Sequence, residues 1–251
     1  MPKCMTCGGD LISTGGGNAV CPYCDNVFSI SGDKPMLSKS TGASLKSDNG
    51  VDVFEQNINS VLEIRWSDGR AVCSGSGFII DKRGFAITNT HVVTREDGSS
   101  YGRVDVFCAG ETVKASVLHL GDNLHGSGNG IDLAIIKLDR LPADAKKVRF
   151  AGFDTVKNGA RVFVIGNSLG MGTCITSGIV SDRLRQVEKH QLLMTDCPVN
   201  GGNSGGPIFN DNGEVIGAIV SGISGAEGMN FAIPVDQILQ YIDKHSGEVG
   251  L

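Results

Sequence analysis

From residue 60 onward, short apolar runs recur between turns rich in glycine, aspartate and asparagine, and this rhythm restricts the chain to an antiparallel β architecture. The first runs are Val61-Leu62-Glu63-Ile64, Gly77-Phe78-Ile79-Ile80, Val104-Asp105-Val106-Phe107, Ala115-Ser116-Val117-Leu118 and Leu133-Ala134-Ile135-Ile136. They continue through Arg161-Val162-Phe163-Val164-Ile165, Cys174-Ile175-Thr176-Ser177-Gly178-Ile179-Val180 and Val215-Ile216-Gly217-Ala218-Ile219-Val220. Runs of this length and spacing are expected of a β-barrel. One exception follows Pro234, where apolar residues at 235, 238, 239 and 242 mark an amphipathic helix with proline at its start. At 251 residues the chain exceeds an average domain. Because all-β barrels of about 200 to 250 residues are common as single units, one main domain with a small appendage is the economical count.

The appendage is residues 1–30, which carry Cys4, Cys7, Cys21 and Cys24 in two Cys-x-x-Cys pairs and too few apolar residues for a core. Such pairs allow four thiolates to surround one Zn2+ tetrahedrally, and the bound metal would supply the missing folding energy. A redox dithiol or two disulfides are the alternatives. Four cysteines leave no open coordination position, so the metal would be structural and catalysis would need none. The segment resembles a zinc ribbon. Only Lys3 lies beside the cysteine pairs, with Asp10 and Asp25 nearby, which gives poor support to a phosphate-binding surface and leaves a protein partner as the ribbon's expected contact. Residues 31–50, rich in Ser, Gly, Lys and Asp, read as a flexible linker, with the main domain at 51–251.

Charge and cysteine usage narrow the setting. With 22 Lys and Arg against 27 Asp and Glu, the net charge of -5 offers no general attraction to nucleic acid or anionic lipid. No run approaches the roughly 18 to 20 apolar residues of a membrane helix, and the first residues lack the apolar core of a signal peptide. Cys73, Cys108, Cys174 and Cys197 are scattered singly, as small buried thiols would be. Together these features lead to the expectation of a cytoplasmic protein.

Three local sequences carry chemistry: Thr88-Asn89-Thr90-His91-Val92-Val93, Asp132-Leu133-Ala134, and Gly202-Asn203-Ser204-Gly205-Gly206-Pro207. A serine hydroxyl is nearly inert at neutral pH. It needs an imidazole as general base and a carboxylate to orient that imidazole. Each motif alone is commonplace, but a histidine, an aspartate and a serine in this order, each so framed, point to a nucleophilic hydrolase. Gly202 and Gly205 allow the unusual dihedrals that aim backbone N–H groups at one point, so Gly202 and Ser204 are the expected oxyanion-hole donors.

With Val164-Ile165-Gly166-Asn167-Ser168-Leu169-Gly170, Thr195-Asp196 and Asn230-Phe231-Ala232-Ile233-Pro234, these segments resemble the trypsin-like serine proteases, most closely the HtrA (Deg) branch, over roughly residues 52–245. The resemblance implies an all-β fold of two antiparallel six-stranded β-barrels, chymotrypsin-like, with a C-terminal helix against the second barrel. His91 would be the base, Asp132 its partner and Ser204 the nucleophile. Polypeptide substrate would add as a strand beside Ile219, Val220 and Ser221. Pro198, Val199 and Asn200 would form the wall of the specificity pocket. No acidic residue stands there to hold Lys or Arg, so a small or medium aliphatic side chain is expected, unless Asp196 or Glu227 reaches in. The segment 182–189 is either the family's mobile activation loop or an ordinary hairpin tip. Many HtrA relatives carry a peptide-binding PDZ domain, which is not expected here. His119, His125 and His190 lie in polar loop or strand-end contexts and receive no role. A catalytically silent peptide-binding adaptor, or a zinc- or thiol-responsive sensor, is the rival reading of the same fold, and a simple esterase a third.

Overall fold

A computed structural model describes residues 11–20, 27–31, 34–39, 49–67, 72–122, 130–222 and 228–251, in two compact units, 1–49 and 50–251. In the first unit, strands β1 (Ile12–Gly15), β2 (Asn18–Val20), β3 (Val27–Ser31) and β4 (Lys34–Lys39) form one antiparallel sheet in sequence order. Its buried core among the described residues is small: Leu11, Ala19 and Phe28, with Ile30 packed against them. The four paired cysteines lie outside the described residues, as do His125 and Glu227. Two findings differ from the expected linker. Residues 34–39 are a strand because their backbone completes the ladder of β3 (Ser29 opposite Met36), and helix α1 (Asn49–Asn57) begins before residue 51.

The second unit contains both expected barrels. Strands β5 (Val61–Ser67), β6 (Val72–Ile79), β7 (Phe85–Thr88), β8 (Arg103–Cys108), β9 (Glu111–Leu120) and β10 (Ala134–Leu138) close in the order β10-β7-β6-β5-β8-β9. Strands β11 (Arg161–Gly166), β12 (Cys174–Val187), β13 (His190–Thr195), β14 (Pro207–Asn210), β15 (Val215–Gly222) and β16 (Asn230–Pro234) close as β11-β12-β13-β16-β15-β14. Every expected run overlaps a strand, with Ile80 and Leu133 just outside β6 and β10. Residues 182–189 belong to the β12–β13 hairpin, whose tip carries Glu188 at φ 49°.

Alternation along the strands explains why most are apolar on both faces. In β10, Ala134 and Ile136 fill the interior of the first barrel, while Ile135 faces the seam between the barrels. In β14, Ile208 fills the second barrel and Phe209 turns to the same seam. Phe78, Ile87, Phe163, Val215 and Ile233 complete that shared layer, joined by Ile238 and Tyr241 of helix α2 (Val235–Val249). The helix buries Val235, Ile238, Tyr241 and His245, while Leu239, expected inside, is 41% exposed. The inward stripe is rotated because α2 packs on β9 of the first barrel as well as on β15 and β16 of the second.

Phe209→Ala would open a cavity in the seam, which neither barrel can close alone. We expect a loss of about 3 to 5 kcal/mol in unfolding free energy, measured by denaturant titration.

Candidate active site

The register of two strands brings His91 to Asp132. Ala134 of β10 pairs with Thr88 of β7, so the 3-10 turn Thr90–Val92 after β7 lies beside the residue that leads into β10. His91 Nδ1 is 2.6 Å from Asp132 Oδ2, and the His91 backbone N–H donates to Asp132 Oδ1 at 3.1 Å. With Nδ1–H donating to the carboxylate, Nε2 carries the free lone pair, a tautomer assigned from the hydrogen bonds. The Asp132 side chain is 2% exposed and that of His91 33%, so the carboxylate is dry and the imidazole reachable.

Neighbouring backbone is equally fixed. Asn89 Nδ2 donates to the Asp132 carbonyl at 2.7 Å. The Leu133 carbonyl accepts three hydrogen bonds of 2.8 Å, from Gly121 N–H, Thr90 Oγ1 and Tyr241 Oη. Tyr241 thus anchors the C-terminal helix to the residue after Asp132. Burial, with the carboxylates of Asp132, Glu248 and Asp122 nearby, pushes its hydroxyl pKa upward and keeps it a donor.

Ser204 projects from the loop between β13 and β14. This loop is tied to the first barrel by Ser76, whose N–H donates to the Ser204 carbonyl at 2.8 Å. Ser76 Oγ donates to the Gly202 carbonyl at 2.7 Å and accepts from Asn167 N–H at 2.9 Å. Thr88 Oγ1, at the end of β7, donates to the Ser76 carbonyl at 2.7 Å. Two hydrogen bonds therefore link the serine loop to the strand that presents His91. Ser204 Oγ itself donates to the Val220 carbonyl at 3.2 Å, and among the described residues it has no hydrogen bond to His91.

Backbone conformation at the loop requires glycine. Gly202 has φ +96°, and a Cβ there would lie 2.1 Å from the Asn167 carbonyl oxygen. Gly205 has φ +80°, with a Cβ position 2.3 Å from the Ser76 carbonyl oxygen. Among the described residues, the Gly202 and Ser204 N–H groups have no acceptor.

Ile219 and Val220 are buried in β15, with Ser221 next in the strand. Pairing with β14 stops at Ala218, and Ile219 bonds instead to Gly205 and Gly206, so among the described residues 220–222 have no β partner on that side. Pro198 and Asn200 are exposed and Val199 packs against the second barrel's interior. Thr176 Oγ1 donates to the Pro198 carbonyl, and Asn200 Nδ2 to Ser168 Oγ. Asp196 accepts from Ile179 N–H at 2.6 Å and is held against β12. Sequence reasoning missed Ser76, Tyr241 and buried Glu63, which accepts from Thr173 N–H and Oγ1 at 2.8 Å each. No motif marks them. Their roles arise from contacts between residues 91, 108 and 110 positions apart or more.

The two barrels and this site define a class, and the sequence agrees: residues 75–217 match the trypsin-like peptidase domain model, so the chain belongs to that family. It is 37% identical over 181 residues to a probable periplasmic serine endoprotease, DegP-like, of Brucella suis, covering 70% of this chain and 33% of that protein. To a probable periplasmic serine protease, do/HhoA-like, of Haemophilus influenzae it is 34% identical over 193 residues, covering 70% and 39%. A crystal structure of the serine endoprotease from Yersinia pestis superposes with a TM-score of 0.64 at 27% identity, over 77% of this chain and 65% of the other. The chain thus spans about a third of the length of the curated relatives it matches.

These relatives overturn the expectation of a cytoplasmic protein, since they are named periplasmic. The single cysteines were a poor guide. Cys108 and Cys197 are buried, and burial pushes their thiols up to about 12 and about 11, so they are inert in either redox setting.

Ser76→Ala would leave the buried Gly202 carbonyl and Asn167 N–H without their partner. We expect a loss of about 1 to 3 kcal/mol in unfolding free energy, read by denaturant titration.

Proposed function

We propose that this chain is a serine endopeptidase that hydrolyses extended or unfolded polypeptides through His91, Asp132 and Ser204. One observation carries the reading: His91 is fixed by both oxygens of a dry carboxylate while its Nε2 stays free, beside a serine loop pinned to the same barrel. In the reaction, Ser204 Oγ leaves the Val220 carbonyl and gives its proton to His91 Nε2 as it bonds to the substrate carbonyl carbon. The Gly202 and Ser204 N–H groups stabilise the resulting oxyanion. His91 then returns the proton to the leaving amine, and water releases the acyl group by the same steps in reverse roles.

The open edge of β15 at 220–222 supports binding of substrate as an added strand beside 219–221. Pro198, Val199 and Asn200 carry no charge, and Asp196 is engaged with β12, which favours small or medium aliphatic residues before the scissile bond. Burying an unpaired Lys or Arg there would cost several kcal/mol.

The hydroxyl of Ser204 on Val220 rather than on His91 favours one second reading, a peptide-binding adaptor held silent. A fluorophosphonate probe separates the two. We expect labelling of wild type but not of Ser204→Ala, and loss of peptide cleavage on the order of a millionfold in that variant. Mass-spectrometric mapping of cuts in a denatured protein is expected to find Val, Ala or Leu before the bond. An unlabelled, folded wild type would support the adaptor, and predominant cutting after Lys or Arg would refute the pocket alone.

For the amino-terminal unit we propose one structural zinc on Cys4, Cys7, Cys21 and Cys24, with a protein as the ribbon's partner. Ile12 of β1 pairs with Val20 of β2, so the chain enters and leaves this hairpin at one end, between the two cysteine pairs in sequence. The small core among the unit's described residues is consistent with a need for metal. The Cys4→Ser, Cys7→Ser double variant is expected to lose one zinc per chain by elemental analysis while residues 50–251 stay folded.

A further inference from the structure

Away from Ser204, a second cluster of chemically competent side chains sits where helix α2 crosses the end of β9. His119 and His245 stack with ring centroids 3.7 Å apart, and the same Glu248 oxygen reaches both. Glu248 Oε2 lies 3.0 Å from His245 Nδ1 and 3.5 Å from His119 Nε2. The ligand-capable atoms of the three residues all lie within 4.8 Å of one another.

Hydrogen bonding selects the tautomer of His119. Tyr241 Oη already donates to the Leu133 carbonyl, so at 2.7 Å from His119 Nδ1 it is the acceptor, and Nδ1 carries a proton. In the neutral ring the other nitrogen, Nε2, then points a lone pair towards the Glu248 carboxylate. Two electron-rich atoms facing each other are reconciled by a cation between them, either a proton on the imidazole or a metal ion. A histidine whose far nitrogen donates to a fixed oxygen, leaving the near one free, is also the usual arrangement of a metal-ligating imidazole.

We propose that His119, His245 and Glu248 form a site for one divalent transition-metal ion of the zinc class. Two ligands about 2.1 Å from a tetrahedral metal stand roughly 3.4 Å apart; the 3.5 Å from His119 Nε2 to Glu248 matches this, and the 3.0 Å His245 Nδ1–Glu248 contact, a hydrogen bond, would lengthen by a few tenths of an ångström as its proton gives way to the ion. The ligand-capable atoms already lie within 4.8 Å of one another, so a shift of about 1.4 Å at most brings them to that spacing. A cavity of about 510 Å³ beside them, also lined by Gln240 and Lys244, gives access and leaves the fourth position to water. The ligands come from β9 and α2, so the ion would clamp the C-terminal helix to the first barrel, with Tyr241 linking it to the backbone beside Asp132.

Zinc content of the full chain after equilibrium dialysis decides the matter, independently of any peptidase activity. We expect the wild type to hold one equivalent more than a His119→Gln, Glu248→Gln double variant, and the Cys4→Ser, Cys7→Ser variant to keep that equivalent. Equal zinc in wild type and a folded double variant, judged by circular dichroism, would overturn the site. Should the double variant fail to fold, Glu248→Gln alone serves, since its side chain is 61% exposed. A weakening of zinc affinity by about tenfold or more would support the proposal, and unchanged affinity would overturn it.

Discussion

The seam between the barrels is held at its polar end by one small side chain. Ser76 uses its hydroxyl both as donor and acceptor and its backbone on both sides, so a single residue of β6 fixes the Gly202 and Ser204 carbonyls and the Asn167 N–H. Buried polar groups of this kind are costly if any partner is missing. The serine loop therefore has little freedom to drift relative to the strand that carries His91. Glu63 performs the same service nearby, receiving Thr173 through two hydrogen bonds while Arg65 pairs with its other oxygen at 2.7 Å. The apolar half of the seam, from Phe78 to Phe209, supplies the adhesion, and these polar links set the alignment.

The His91–Asp132 pair depends on backbone as much as on side chains. Asn89, Thr90, Gly121 and Tyr241 all place donors on the carbonyls of residues 132 and 133. The carboxylate is thus oriented by its own peptide planes, which are held from three elements at once. Such redundancy leaves the carboxylate little freedom to rotate away from the imidazole beside it.

Much of the fold was legible because the strands with alternating or extended apolar runs announced themselves. Strands β7, β13, β14 and β16 were not singled out as barrel strands. Phe85–Thr88 and Pro207–Asn210 have only four residues each, and Asn230–Pro234 is buried at every position and so shows no alternation. The helix stripe was misjudged at Leu239 because periodicity gives a face but not how many neighbours it must satisfy. Strand β4 was hidden because its partner, not its composition, makes it a strand. His91, Asp132 and Ser204 could be singled out because each stands in a distinctive local frame, and the structure brings His91 and Asp132 together. Ser76 and Tyr241 could not be, because an isolated serine or tyrosine looks alike wherever the chain places it.

Strand β15 runs past its neighbour β14, so that among the described residues 220–222 have no β partner on that side. Open edges invite other copies of a chain to pair and aggregate. The described part of this one spans about 10 Å at the usual rise per residue. A guest strand laid along it would gain only a few backbone hydrogen bonds from those three residues, so how long it stays would depend on its side chains.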